Sequence, residues 1–212
     1  HKLYGDEYVM SVVAQFKEAL EMTTAPGGLL ELTTIERDGV PVKAFAQAPG
    51  SMRDLWALST GHGDAEYLIY NDERWTYAQT AKIVAEFGGW LMEQGVGPGD
   101  HVAIAMRNYP EWMMAHWAVN SIGAAIVGMN AWWVADEMDY ALNDSTPKVL
   151  SADDRRLEAF AQIQEKHPDI KVVSVREPNS PVEATDFHSA MVDGAELPAI
   201  DIDPDSVACI FY

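Results

Sequence analysis

HVAIAMRNYPEWMMAHWAVNSIGAAIVGMN, residues 101–130, is the stretch of sequence that decides the fold. Residues 102–106 are apolar on both faces, which is typical of a strand that is covered on both sides in a parallel sheet. A helix should begin at Pro110, because proline fits a first helical turn and Glu111 lies near the positive end of the helix dipole. The helix ends at Gly123, and residues 124–129 form the next apolar strand. This order predicts two parallel strands joined by a crossover helix.

The same alternation extends outward from this stretch. On the C-terminal side, further strands are predicted over residues 148–150, 170–175 and 207–212. Further helices are predicted over residues 134–142, 155–166 and 186–192. On the N-terminal side, we expect a helix over 51–59, a hairpin over 67–75, and a helix that Thr76 and Gln79 open as a capping box. The fold class predicted is α/β, with a mainly parallel sheet flanked by helices.

The helix that follows Thr76 contains two adjacent glycines, Gly88 and Gly89. Glycine inside a helix costs about 1 kcal/mol relative to alanine. A close contact between this helix and the sheet would explain why the sequence accepts that cost.

Residues 1–50 have a different pattern from the rest of the chain. Helical spacing of apolar residues predicts a helix over 8–22, and apolar runs on either side of Asp38-Gly39 predict a hairpin. A turn at 48–50 should end this arm. We therefore expect an N-terminal helix and hairpin arm over residues 1–50 and an α/β domain over residues 51–212.

Composition excludes several classes of protein. The chain has 212 residues, with 14 Lys+Arg against 33 Asp+Glu and a net charge of −19, so nucleic acid and anionic membrane are not expected as primary partners. Its single cysteine, Cys209, excludes an internal disulfide framework.

We find no signal-peptide layout, and the longest apolar stretch, residues 123–135, is too short to span a bilayer. We expect a cytoplasmic protein without a transmembrane segment; peripheral membrane contact and self-association stay open.

No motif in the sequence identifies a catalytic residue or a metal site. Residues 95–100, GVGPGD, are glycine-rich but follow a helix and precede a strand, which predicts a connector and not a phosphate loop. The histidines have no zinc-binding spacing, and no nucleophile elbow is present. Cys209 lies in an apolar strand without a basic neighbour, so we do not expect it to be a nucleophile.

Trp132 and Trp133 are the residues that the pattern singles out for ligand binding. They follow the predicted strand 124–129, at the carboxyl end where α/β sheets bind ligands. One hypothesis is that they form a wall of an apolar channel for an acyl chain. The alternative is that they pack their loop against a neighbouring helix.

Taken together, the segments from Trp75 to Ser145 resemble the N-terminal portion of the adenylate-forming acyl-CoA synthetases, and most of all the fatty-acyl-CoA ligases. The resemblance covers roughly residues 51–212, and the arm before Ser51 resembles an extension found in some members. The resemblance rests on the order and spacing of several segments: residues 75–77, 95–104, 108–112, 123–127 and 130–133, with Glu137 and Asp144-Ser145.

The resemblance implies a complete enzyme that converts a carboxylic acid and ATP to an acyl-adenylate with magnesium, and then transfers the acyl group to CoA. In that family an apolar strand that ends in Phe-Tyr leads into the phosphate loop. Ile210, Phe211 and Tyr212 match the start of that signature, and the loop and the catalytic residues would follow Tyr212. We therefore assign no catalytic, cofactor-binding or metal-binding residue here, and we expect the 212-residue chain alone to be inactive and to bind ATP weakly.

A different class of function stays open from the residues alone. The chain would then be a stand-alone, non-catalytic acidic α/β interaction module with a basic partner. A flavodoxin-like nucleotide binder is disfavoured, because no glycine loop lies between a strand and a helix.

Overall fold

A computed structural model describes residues 6–28 and 30–212, with side chains described from residue 11 onward. The chain divides into two compact units, which we call the N-terminal unit, up to Pro49, and the main unit, from Gly50 to Tyr212.

The N-terminal unit consists of one helix and one hairpin. Helix α1 spans Asp6–Thr24, and strands β1 (Leu32–Arg37) and β2 (Val40–Phe45) pair antiparallel in the predicted hairpin. Asp38 and Gly39 both have positive φ, 50° and 76°, as a tight two-residue hairpin turn requires.

The main unit begins with helix α2 (Met52–Thr60), a hairpin of β3 (Glu66–Tyr70) and β4 (Glu73–Thr76), and helix α3 (Tyr77–Glu93). The predicted capping box opens α3: the Thr76 hydroxyl accepts a hydrogen bond from the Gln79 amide, and the Gln79 side chain accepts one from the Thr76 amide. Both pairings satisfy N–H groups that the helix itself leaves free.

A six-stranded sheet follows, and all of its strand pairs are parallel. The strand order across the sheet is β10-β6-β5-β7-β8-β9. Its strands are β5 (His101–Ala105), β6 (Ala125–Gly128), β7 (Val149–Ala152), β8 (Lys171–Ser174), β9 (Thr185–Asp186) and β10 (Cys209–Phe211). Its connecting helices are α4 (Pro110–Ser121), α5 (Ala135–Ser145) and α6 (Asp154–Ala161). The predicted α/β class with a mainly parallel sheet is confirmed.

Alternate residues of the strands face two separate cores. Val102 and Ile104 of β5 pack in the core that contains residues of α3 and α4, whereas Ala103 and Ala105 pack in the core that contains residues of α5 and α6. Successive side chains of a strand point to opposite faces of the sheet, and helices cover both faces here. Every position of β5 after His101 is therefore buried on one face or the other, which explains why all of them are apolar.

Two predicted helices differ from the structure. Residues 186–192 do not form a helix: Asp186 ends β9 and residues 187–189 form a turn, because the Phe187 amide pairs with the Ser174 carbonyl and continues the strand pairing of β9. The predicted helix 155–166 is α6, which ends at Ala161, and then a separate 3-10 turn, Gln164–Lys166.

The contact at the two helical glycines also differs from the prediction. A β-carbon on Gly89 would lie 2.8 Å from Ala195 Cβ, and one on Gly88 would lie 3.2 Å from Leu197 Cδ2. Both neighbours belong to the irregular segment after β9, so the close approach is made by a loop and not by the sheet.

None of the described helices is both long and apolar enough to cross a bilayer.

Candidate functional site

The loops that follow β5, β6 and β7 meet at the carboxyl edge of the sheet, because these neighbouring strands are parallel. Open α/β sheets bind ligands at this edge. A cleft of about 680 Å³ opens there, which we call the polar cleft. Its lining residues come from the loops after β5 and β6, from the first turn of α6 and from β3: Tyr70, Arg107, Asn108, Tyr109, Ala131, Trp132, Asp154, Arg155 and Arg156.

A buried ion pair holds the three loops together. Arg156 Nη2 donates to Asp153 Oδ2 at 2.7 Å, and its Nε donates to Asp153 Oδ1. The same carboxylate accepts a hydrogen bond from the Arg107 amide at 3.0 Å, after β5, while Arg156 Nη1 donates to the Ala131 carbonyl at 2.8 Å, after β6. Asp153 and Arg156 are both buried. Their bonds fix the floor of the polar cleft, and they raise the pKa of Arg156, chiefly through the hydrogen bonds to Asp153.

The other two arginines of the polar cleft are differently placed. Arg107 and Arg155 are exposed, and within residues 6–28 and 30–212 neither guanidinium forms an ion pair. Asp154 is the acidic residue of the lining, and its carboxylate lies 3.6 Å from Arg156 Nη2. In a chain with 33 acidic residues, this cleft is therefore locally cationic.

The wall of the polar cleft on the side of β3 is formed by Tyr70 and Tyr109. Their rings meet edge to face with centroids 5.5 Å apart, and Arg176 Cζ lies 5.0 Å from each ring centroid. Arg176 also binds Glu73 through both Nη atoms at 2.8 Å and Glu111 through Nε at 3.0 Å. These contacts hold the β3–β4 hairpin against the end of β8.

Glu111 and His188 are electrically coupled beneath this wall. Burial would raise the pKa of Glu111, but its contacts with His188 and Arg176 outweigh burial and hold that pKa below its usual value. His188 Nε2 lies 3.4 Å from the Glu111 carboxylate, and this contact raises the pKa of His188 despite partial burial. The cluster therefore has a charge state that depends on pH.

A second cleft, which we call the apolar cleft, lies beside the polar cleft. It has a volume of about 370 Å³ and shares Tyr70, Asn108 and Tyr109 with the polar cleft. The rest of its lining is apolar: Leu68, Ile69, Pro110, Trp112 and Met113.

The structure places Trp132 and Trp133 in different surroundings. Trp132 is 84% exposed and lines the polar cleft, and its amide binds Asn130 Oδ1 at 3.0 Å. Trp133 is half-buried, packs on the core beside α5 and α6, and meets the Tyr212 ring with centroids 5.9 Å apart. Trp132 is thus part of the lining of the polar cleft, whereas Trp133 is not part of the lining of the polar cleft or of the apolar cleft.

Ile210, Phe211 and Tyr212 lie at the end of the edge strand β10, which pairs with β6. The Ile210 side chain packs on the core beside α5 and α6, whereas Phe211 is 78% exposed. The Tyr212 hydroxyl donates a hydrogen bond to Asp144 Oδ2 at 2.7 Å. These residues therefore lie at the same carboxyl edge as the two clefts.

Sequence reasoning did not find Arg107, Arg155, Arg156 or Tyr109 as site residues. Each of them follows a predicted strand at its carboxyl end, which is the signal that could have found them. Arg176 also follows a strand, but its partners Glu73 and Glu111 lie too far away in the sequence for any spacing pattern to identify them. Among the described residues, no group of three or more His, Cys, Asp or Glu could hold a metal ion.

This chain is similar to known proteins over most of its length. The family described as AMP-binding enzyme matches residues 55–212. The 3-hydroxybenzoate--CoA/4-hydroxybenzoate--CoA ligase of Thauera aromatica is 28% identical over 157 residues, which cover 73% of this chain and 30% of that protein. The medium/long-chain-fatty-acid--CoA/3-oxocholest-4-en-26-oate--CoA ligase of Mycobacterium marinum is 28% identical over 137 residues, 62% of this chain and 25% of that protein.

Solved structures share the fold. The apo structure of MbtA from Mycobacterium smegmatis superposes with a TM-score of 0.69 at 19% identity, over 77% of this chain and 31% of that one. The chain spans about a third or less of the length of the curated relatives that it matches.

Proposed function

This chain belongs to the AMP-binding enzyme family, as the resemblance predicted, and from that membership we propose that it is part of an enzyme that activates a carboxylic acid with ATP and transfers the acyl group to CoA. The named relatives are CoA ligases for hydroxybenzoate and for fatty acids. The resemblance to fatty-acyl-CoA ligases favours a fatty acid as the substrate, with the cytoplasm, where ATP and CoA are present, as the site of the reaction.

The observation that carries the proposal is the cationic cleft at the carboxyl edge of the sheet. The acid, ATP and CoA are all anions, and Arg107 and Arg155 supply positive charge that no carboxylate neutralises within the described part of the chain. Such charge attracts anions and orients them at close range. Magnesium would accompany ATP, but the described residues offer no cluster that fits it, so we assign it no ligand here.

We assign no catalytic residue to this chain. The acyl transfer chemistry then depends on parts of the enzyme outside these 212 residues, and the chain alone should not form an acyl-adenylate. This expectation rests on the family resemblance, in which the phosphate loop follows the strand that ends in Phe-Tyr.

The proposal is tested by acid-dependent ATP–pyrophosphate exchange. The complete protein encoded by the gene should exchange with octanoate, decanoate or palmitate, and release AMP when CoA is added. Benzoate and 4-hydroxybenzoate in the same panel separate a fatty-acid ligase from an aromatic-acid ligase. If the complete protein exchanges with none of these acids, the enzyme proposal fails and the non-catalytic interaction module replaces it. Exchange by the 212-residue chain alone would contradict its expected inactivity.

Trp132 and Trp133 provide a test of the acyl channel. If they form its wall, Trp132→Ala or Trp133→Ala in the complete enzyme should shift the preferred chain length by two or more carbons. The profile of kcat/KM from hexanoate to palmitate measures this shift. An unchanged profile in both variants would assign the two rings to packing.

A further inference from the structure

We propose that a further cleft, at the edge of β8 that faces β9, is a binding site for a zwitterionic dipeptide. We call it the edge cleft, and its volume is about 340 Å³. Its lining residues are all different from those of the polar cleft and the apolar cleft. The site goes beyond the proposed function, because it requires neither ATP nor CoA.

The first observation is that the amino half of β8 has an open edge. β8 pairs with β7 along all four residues, Lys171–Ser174, but its pairing with β9 begins only at Val173. The Lys171 amide donates to the Lys148 carbonyl on the β7 side, so the alternation of a parallel strand turns the Val172 amide toward the edge cleft. An extended ligand can pair with this edge as an added strand does.

The second observation is that aromatic rings close the edge cleft on both faces of the sheet. Trp90 of α3 lies on one face and Phe160 of α6 on the other. Trp90 stacks on the buried Phe87 ring with centroids 5.9 Å apart, and Phe160 stacks on His167 with centroids 6.3 Å apart. His167 Nε2 is in turn held 2.7 Å from Asp139 Oδ1. Walls that are fixed in advance reduce the entropy that binding loses.

The third observation is a pair of opposite charges at the edge cleft. Lys171 begins β8, and Glu183 lies in the segment that leads to β9. In the part of the chain that the structure describes, neither side chain forms an ion pair or a hydrogen bond, and the same holds for the side chains of Gln94 and Gln164 in this lining. A free cation and a free anion are complementary to the two ends of a zwitterion, and the amides can bind a peptide group.

The volume of the edge cleft limits the length of the ligand. A dry cavity of about 150 Å³ binds the ring of benzene, so about 340 Å³ corresponds to roughly fourteen non-hydrogen atoms, the size of alanyl-leucine. The leucine side chain of this peptide suits the aromatic walls. Because a free amino acid has no peptide group to pair with the strand edge, a dipeptide is the smallest ligand that uses all three features.

The experiment uses the 212-residue chain and three probes: alanyl-leucine, leucine, and N-acetyl-alanyl-leucine amide, which keeps the peptide group but has no charge. Isothermal titration calorimetry measures affinity. In two-dimensional NMR, the Val172 amide signal, assigned with Val172→Ile, reports pairing with the strand edge, and the Trp90 indole signal, assigned with Trp90→Phe, reports contact with the wall. We expect alanyl-leucine to bind about fivefold or more tightly than the other two probes, and to shift both signals.

Two variants test the assigned charges. Lys171→Gln and Glu183→Gln should each weaken binding of alanyl-leucine about fivefold, because each removes one exposed ionic contact, and should leave binding of the uncharged probe unchanged. Lys17→Gln and Glu158→Gln are the matched controls, since they change an exposed lysine and an exposed glutamate outside the edge cleft. Both controls should stay within about twofold of the parent chain.

Equal binding of leucine and alanyl-leucine would overturn the proposal in favour of an amino-acid site. Equal binding of the uncharged probe would replace it with a neutral site for an internal peptide segment. Absence of binding at millimolar alanyl-leucine, or binding that leaves the Val172 and Trp90 signals unchanged, would show that the edge cleft is not a peptide site. None of these results depends on pyrophosphate exchange, so the edge cleft and the proposed function can fail separately.

Discussion

At the scale of single residues, Arg176 contacts side chains from three separate elements. It lies after β8 and binds Glu73 of β4 and Glu111 of α4, while its guanidinium lies against Tyr70 of β3. Its backbone has a φ of 58°, which is uncommon for a residue with a side chain. Since Glu111 is only 2% exposed, its charge depends on this arginine for compensation.

Arg176→Met should therefore lower the free energy of unfolding by about 3 kcal/mol, because it leaves the buried Glu111 carboxylate with His188 alone. Urea unfolding followed by circular dichroism measures the change. Arg74→Met, which removes an exposed arginine from the same hairpin, should cost less than about 1 kcal/mol. Equal effects of the two variants would show that Arg176 does not stabilise the cluster.

The same cluster predicts how stability depends on pH at His188. The charged groups coupled to this ring include Glu111, Asp186, Arg176 and Glu73, and the Trp75 ring stacks on it. Contact with Glu111 raises the pKa of His188 in the folded chain, so its stabilising effect is complete below its unfolded pKa of about 6.5 and is lost as pH rises through the folded value. The lowered pKa of Glu111 acts in the opposite sense, and its contribution is lost as pH falls through the folded value.

His188→Gln should consequently lower Tm by about 1–3 °C at pH 5.5, where both charges are present, and by less at pH 8.5. Differential scanning calorimetry at the two pH values measures this difference. His62→Gln, which changes an exposed histidine outside the cluster, is the matched control variant. A decrease for His188→Gln that is larger at pH 8.5 would contradict the assigned coupling.

At the scale of elements, the two glycines of α3 differ in what their added β-carbons would meet. At Gly89 the neighbours are Ala195 Cβ at 2.8 Å and Val192 Cβ at 3.2 Å, which cannot rotate away. At Gly88 the nearest atom is Leu197 Cδ2, the end of a flexible side chain. The helix therefore needs glycine more strongly at position 89.

Gly89→Ala should lower the free energy of unfolding by about 1–3 kcal/mol, although alanine favours the helix, because the overlap displaces the loop after β9. Gly88→Ala is the matched variant, and we expect it to lie within about 1 kcal/mol of the parent chain. Urea unfolding of both variants tests this order, and a greater loss at position 88 would contradict it.

At the scale of the whole molecule, the main unit has its own interior. Both cores consist of residues between Met52 and Ile210, whereas none of the described side chains of residues 11–28 and 30–49 is buried. The stability of the sheet should thus be a property of the main unit.

A chain that begins at Gly50 should unfold cooperatively with a Tm within about 3 °C of the 212-residue chain. The reason is that removing residues 1–49 leaves both cores intact. Calorimetry and near-ultraviolet circular dichroism of the two chains measure this. A drop of Tm by more than about 8 °C would show that the main unit depends on the N-terminal unit.

Short-range sequence patterns were sufficient to predict most helices and strands of this fold. The apolar run of β5, the proline at the start of α4 and the Thr76 capping box act within a few residues, so the sequence predicted the parallel α/β class and most elements. The helix predicted over 186–192 was wrong, because pairing with β8 outweighed the local preference there. Trp132 and Trp133 as a channel wall stay a prediction.

Only the tertiary structure decided which side chains meet at the candidate site. Arg176 and Glu73 are 103 positions apart, and Arg107 and Asp153 are 46 apart, so no spacing rule could pair them. The order β6-β5-β7-β8 brings their loops to one edge, and that order is set by the burial of two cores across the whole sheet. Local sequence thus determined the elements of this protein, while long-range packing determined the clefts, because a cleft is formed by residues that become neighbours only when the sheet assembles.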